Sequence, residues 1–231
     1  MTDELIPDIT LVDNTSQRLP CVLVLDGSAS MANSKADTDP IRELNAGLKV
    51  LEEELKNDDV ASQRVQLLVI RLGGDDNVEV KLDWTDAMDF SAPMIAANGR
   101  TPLGSAVRLA LQKIEEQKAE YKVHGVSYNR PWIFVITDGM PTDLDWEAAA
   151  AECRQAEEDN RVTIFAIGTS DADFEALGKF SVRPPVRLQG LKFKELFVWL
   201  SRSASSASKE APDGNVQIEL PSDAGWGDIV S

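Results

Sequence analysis

The sequence predicts an α/β fold, a central, mostly parallel sheet with one antiparallel edge strand and helices on both faces. Three observations carry that reading. Residues 22–25, 65–70, 132–137 and 162–167 are short, continuous apolar runs rich in β-branched residues, the pattern of strands buried on both faces. Between them lie stretches whose apolar residues recur every three or four positions, the pattern of amphipathic helices. Strands that alternate with helices build a parallel sheet wrapped on both sides.

Taken in order, residues 1–17 are polar with scattered apolar positions and read as an extended arm. A first strand, 20–26, runs into the turn Asp26-Gly27-Ser28-Ala29-Ser30, and residues 32–39 form a polar loop beside it. Pro40 marks a helix start, with Ile41, Leu44, Leu48, Leu51 and Leu55 as its apolar stripe. The strand 65–70, the turn Gly73 to Asn77 and the alternating strand 78–84 make an antiparallel edge hairpin, because the turn is so short. Residues 85–100 form a connecting loop. Asp83, Asp86 and Asp89 suit solvated positions better than metal ligation.

Thr101-Pro102 opens a helix, with threonine as N-cap and proline in the first helical position. Residues 119–131 read as a polar loop, and His124, the only histidine, as a surface residue. The strand 132–137 then reaches Asp138-Gly139. Thr142 and Asp145 fit a capping box ahead of an alanine-rich helix, 145–158. Strand 162–167, a short helix capped from Ser170 to Asp173, a last strand 186–188 and a helix through Phe193, Leu196, Phe197 and Leu200 complete the pattern. Ser203 to Ser208 reads as a flexible run and residues 216–220 as a candidate edge strand. Trp226, between two glycines, can dock the tail onto the domain or meet a partner.

Composition narrows the function. A chain of 231 residues holds one large domain, or one domain with an appendage. Its formal net charge of −16 argues against nucleic acid or an anionic membrane as partner. The same charge suits cation binding, basic protein partners and plain solubility. Cys21 and Cys153 fit no metal-binding spacing and read as small buried apolar residues. The first ten residues do not form a signal peptide and no stretch reaches membrane-spanning length, so a cytoplasmic location without membrane insertion is expected.

Hard divalent cations take oxygen ligands, and the turn after the first strand offers three, from Asp26, Ser28 and Ser30. In isolation D-x-S-x-S is a polar strand-to-helix turn. Two further segments change its weight: Gly99-Arg100-Thr101-Pro102, and the strand that ends in Asp138-Gly139. Together Asp26, Ser28, Ser30, Thr101 and Asp138 resemble the metal-ion-dependent adhesion site (MIDAS) of von Willebrand factor type A (VWA) domains. The pattern there is D-x-S-x-S, then a threonine in a glycine-rich loop, then an aspartate followed by glycine. The resemblance covers residues 18–205 and implies a Rossmann-like VWA fold, with 1–17 as an N-terminal arm and 206–231 as a C-terminal extension that can dock on the domain. PWIFVITDGMPTD and GRTPLGSAV resemble most the bacterial intracellular TerY/YegL (tellurium resistance) branch.

The resemblance implies a bound divalent cation, Mg²⁺ first, with Mn²⁺ and Ca²⁺ also compatible with the ligand chemistry. Ser28, Ser30 and Thr101 would offer hydroxyl oxygens, and Asp26 and Asp138 would act directly or through water. Neutral hydroxyls leave the ion's charge uncancelled, so its open position attracts an anion, for which a partner protein's acidic residue is expected. TerY-like proteins are grouped with a protein kinase and a PP2C-type phosphatase, which implies a cytosolic scaffold in bacterial tellurite or stress-response phosphorylation signalling. Arg100 and Ala29 stand where glycines are common in the family, and neither departure removes an oxygen ligand.

The competing class is a metal-dependent phosphohydrolase or phosphotransferase, with Asp26 as phosphoryl acceptor. The haloacid-dehalogenase pattern needs a second aspartate where this chain has Ser28. No G-x-x-x-x-G-K-[ST] loop and no G-x-S-x-G elbow occurs, and a serine triad would have to borrow His124 from a remote loop. The reading is therefore a binding module and not an enzyme.

Overall fold

The computed structural model describes residues 16–32, 39–74, 77–210 and 221–230. Seven strands of these residues form one sheet: β1 (Leu19–Gly27), β2 (Val65–Gly73), β3 (Asn77–Asp86), β4 (Trp132–Thr137), β5 (Thr163–Gly168), β6 (Val186–Leu188) and β7 (Gly227–Ile229). Their order is β3-β2-β1-β4-β5-β6-β7, and β2, β1, β4, β5 and β6 run parallel. The hairpin partner β3 lies antiparallel at one edge, as the short turn requires. At the other edge β7 adds an antiparallel strand that the sequence pattern did not reveal. The candidate edge strand at 216–220 lies outside the described residues, as do residues 1–15 of the N-terminal arm.

Among the described residues six helices flank the sheet: α1 (Pro40–Asn57), α2 (Ala61–Arg64), α3 (Leu103–Val123), α4 (Trp146–Glu158), α5 (Phe174–Gly178) and α6 (Phe193–Lys209). Every residue of β1 and β2 is buried. Side chains alternate across a strand, so Cys21, Leu23 and Leu25 enter the core beneath α1 and α6. Val22 and Val24 enter the opposite core, beneath α3, α4 and α5. Pro40 sits in the first turn of α1, with Asp39 as N-cap accepting from the Ile41 N–H at 3.3 Å. Both cysteines are buried, and burial pushes both thiols up.

Three expectations are corrected. The serine run 203–208 is the end of α6, with Ser203, Ser205 and Ser208 buried. Helix ends leave carbonyls without intrahelical partners. Here the Asn129 amide reaches the Ala207 carbonyl at 3.2 Å and the Arg64 guanidinium reaches that of Ser208. Residues 119–123 are still helix, and Tyr121 is buried with its hydroxyl on the Gln66 side chain. Asp86 is not solvated. It closes β3 as a buried carboxylate that accepts from Arg18 at 3.0 Å and Gln66 at 2.7 Å. Trp226 is buried, its ring centroid 5.0 Å from that of Trp199 on α6.

β1 leads through α1 to β2 on one side, whereas β4 returns to the other side of β1. The carboxyl ends of β1 and β4 therefore flank the point where strand order reverses, the position at which open α/β sheets bind ligands.

Candidate metal centre

Register sets the first contact. Leu25 lies opposite Ile136, so one step further Asp26 stands beside Thr137. The Thr137 hydroxyl donates to Asp26 Oδ2, and the Ser28 N–H donates to Asp26 Oδ1 at 2.7 Å. Asp26 is fully buried and Ser28 nearly so. A single 3-10 turn, Ala29–Ala32, folds the chain back and brings Ser30 to the surface. Its hydroxyl lies 2.9 Å from that of Ser28 and donates to Asp138 Oδ1 at 2.7 Å. Ala29 is not among the positive-φ residues, which explains why an alanine serves there.

Thr101 arrives from the other side. It is 5% exposed, and its hydroxyl faces Gly139, where an added Cβ would come within 3.3 Å of it. All five predicted residues thus gather on one rim, four of them in a hydrogen-bonded chain and Thr101 beside the last. Thr101 does not cap α3, however. The helix starts at Leu103 with Pro102 in the cap position, whose side chain makes no cap hydrogen bond. The Asp143 carboxylate caps it instead, accepting from the Gly104 N–H at 3.2 Å and the Ser105 N–H at 2.7 Å. Thr142 forms no capping box either. Its hydroxyl accepts from the Thr101 N–H at 3.1 Å, while its own N–H donates to the Thr101 carbonyl at 2.9 Å.

The loop that delivers Thr101 is long but held at many points. Glu52 accepts from the Ala92 N–H at 2.9 Å, and the Asn45 amide pairs with both backbone groups of Ile95 at 2.8 and 2.9 Å. Gly99 has φ +75°, and a Cβ there would lie 1.4 Å from the Gly74 carbonyl oxygen, so only glycine fits. The Ala29 N–H donates to the Gly99 carbonyl at 3.0 Å, which ties the Thr101 loop to the serine turn. Arg100 is exposed beside it.

Burial raises both carboxylates. Desolvation pushes Asp26 up, and hydrogen bonds from Thr137 and Ser28 offset part of that. Asp138 is pushed up to about 6, first by desolvation and then by the charges of Asp26 and Asp171, against the stabilising Ser30 hydroxyl. Two carboxylates raised by burial, Asp138 also by the charge of Asp26, with three hydroxyls beside them, offer the kind of all-oxygen surroundings that a hard cation can use. Among the described residues no group of three or more His, Cys, Asp or Glu gathers. His124 caps the end of α3, where its ring lies 3.7 Å from the Glu120 carboxylate, far from this site in the chain. Thr142 and Asp143 follow Asp138 onto the rim, as their place in the sequence predicts, but what they hold there, Thr101 and the start of α3, was not legible. Nor were Thr137 and Asn98 legible as parts of the site, because their contacts span elements far apart in sequence.

The family model for the von Willebrand factor type A domain matches residues 21–189. A comparison with curated protein sequences returned no match. Among solved structures, the pilus adhesin SpaC from Lactobacillus rhamnosus GG aligns at a TM-score of 0.62 and 12% identity, over 84% of this chain and 32% of that one. Proximal thread matrix protein 1 from the mussel byssus, solved with a zinc-occupied MIDAS motif, aligns at 0.53 and 11% identity, over 83% and 49%. The ArnB paralog VWA2 from Sulfolobus acidocaldarius aligns at 0.50 and 15% identity, over 83% and 45%. This chain therefore spans less than half the length of each of these proteins.

Proposed function

The chain belongs to the von Willebrand factor type A domain family, and from that premise we propose that it is a protein-binding module whose contact depends on a divalent cation. The observation that carries the reading is the oxygen chain from Ser28 through Ser30 to Asp138, with Thr101 alongside, at the strand-order switch. Ser28, Ser30 and Thr101 would hold the cation through neutral hydroxyls. Asp138, half-buried on the rim, would supply the exposed negative charge. Asp26, with both oxygens engaged by Thr137 and Ser28, would brace the turn and act through water. A bound cation would supply a positive centre for a partner's carboxylate.

Mg²⁺ fits first, since it accepts oxygen ligands and retains waters. Mn²⁺ and Ca²⁺ fit the same donors, and the zinc in the mussel protein's site is in keeping with a divalent cation. The burial of Asp26 favours binding over catalysis, because a phosphoryl acceptor must meet its substrate. Among the described residues no helix is long and apolar enough to cross a membrane, which is in keeping with a cytoplasmic module. PWIFVITDGMPTD and GRTPLGSAV further support a scaffold of the TerY/YegL kind, working with a protein kinase and a PP2C-type phosphatase in bacterial tellurite or stress response.

Thermal unfolding in EDTA and then with Mg²⁺, Mn²⁺ or Ca²⁺ tests the reading. Wild type should gain midpoint with the cation by mass action, about 2.7 kcal/mol at a hundredfold excess over Kd. Asp26→Ala combined with Asp138→Ala should gain nothing. No response of wild type to millimolar cation, together with a partner pulldown indifferent to EDTA, would sink it.

A further inference from the structure

We infer that Arg71 is the positioning residue of the cation site, holding the serine turn and the Thr101 loop in one register through a single guanidinium. The inference rests on the cation-dependent reading above. Arg71 lies on β2 opposite Leu25 of β1 and is 7% exposed. Its Nε donates to the Ala96 carbonyl at 2.8 Å. Its Nη2 donates to the Gly27 carbonyl at 3.1 Å and to Asn98 Oδ1. All three acceptors are neutral. Gly27 stands between Asp26 and Ser28, whereas Ala96 and Asn98 belong to the loop that ends at Thr101.

Burying a guanidinium against neutral oxygens is costly, and an apolar residue would close the core at this height more cheaply. What arginine supplies is a rigid, planar fork with donors at fixed angles. That fork spans two chain segments which share no helix or strand. Gly27 is cut to fit it: a Cβ there would lie 2.5 Å from Arg71 Nε and 2.7 Å from the Ala96 oxygen. The Asn98 N–H returns to the Gly27 carbonyl at 2.8 Å, so the fork and the backbone clasp the same joint. The distance between the Ser28 and Thr101 hydroxyls is thereby set from behind the site by a side chain that need never touch the ion.

Lysine keeps the charge but loses the fork. Arg71→Lys should weaken Mn²⁺ binding about tenfold, the scale seen when outer partners of metal ligands are removed. It should also speed amide exchange at residues 96–101. The control is Arg18→Lys, at the opposite end of β1, where a buried guanidinium donates to the Gln63 carbonyl at 2.9 Å and to Asp86. That variant should lose midpoint and keep its Mn²⁺ affinity. Equal affinity losses in the two variants would make Arg71 merely structural and overturn the inference. If Arg71→Lys does not fold, Asn98→Ala removes one acceptor and keeps the guanidinium, and unchanged Mn²⁺ affinity there overturns it as well. Wild type that binds no Mn²⁺ would overturn both this inference and the cation-dependent reading, whereas binding that Arg71→Lys leaves intact overturns this one alone.

Discussion

Thr101 and Thr142 stand 41 positions apart and hold each other twice: the Thr101 N–H donates to the Thr142 hydroxyl, and the Thr142 N–H donates to the Thr101 carbonyl. The pair joins the loop before α3 to the loop after β4, so the Thr101 hydroxyl and Asp138 share one rigid frame. Thr142→Val keeps the size of the side chain and removes the acceptor. It should cost about 1 kcal/mol, the net worth of one hydrogen bond at a partly exposed site, and weaken Mn²⁺ binding. Thr142→Ser should restore both. Urea unfolding and Mn²⁺ titration read the two effects.

The separation of capping from ligation gives a cleaner pair of variants. Because Asp143, not Thr101, caps α3, Asp143→Ala should destabilise by about 0.5–2 kcal/mol. Thr101→Val should leave α3 intact and abolish the cation-dependent rise in midpoint. The opposite assignment, with Thr101→Val the more destabilising in EDTA, would restore threonine to the cap.

What the sequence made legible follows from the range of the interactions involved. The doubly buried strands could be read because their apolar runs are local, and the five candidate site residues could be singled out because each sits near a strand end or a helix start. Asp86 could not be read as buried, since its partner Arg18 lies 68 positions away. Ser203 to Ser208 looked flexible because serine is a weak helix former locally. Its helix is instead held by burial and by Arg64 and Asn129 at its carbonyl end. Thr137 needed the β1–β4 register to become the partner of Asp26. Arg71 needed the loop path at Ala96 and Asn98.

The raised Asp138 gives a pH dependence with a definite sign. Its folded value of about 6 lies above the ordinary 3.8, so the folded chain holds this proton more tightly than the unfolded chain does. The cation-free protein therefore loses stability from this group as pH rises through the window between those values, and the loss is complete above about pH 6. Buried Asp26 shifts in the same direction. In EDTA, Asp138→Asn should gain midpoint over wild type as pH rises from about 4 to about 7. Saturating Mg²⁺ should reverse the order at the upper end, since only the carboxylate offers charge to the ion. A difference that stays flat with pH would mean Asp138 titrates normally.

Trp226 provides a test of the far edge of the sheet. It precedes β7, and its carbonyl accepts from the Gln189 N–H at 2.9 Å. Its ring packs on Trp199, which in turn meets Phe134 and Phe165 edge-on at 6.4 and 5.8 Å. Trp226 is therefore continuous with the core beneath α6, and Gly227 lets β7 approach β6: a Cβ there would lie 2.6 Å from Val186 Cγ1. Trp226→Ala should cost about 3–5 kcal/mol, the range for emptying a buried aromatic site, with one cooperative guanidinium transition at a lower midpoint. Gly227→Val should act in the same direction by forcing β7 off the edge. Because this edge lies away from the β1–β4 switch, the Mn²⁺ affinity of whatever folds should stay at the wild-type value. A tail that merely rests on the surface would leave the guanidinium midpoint of both variants unmoved.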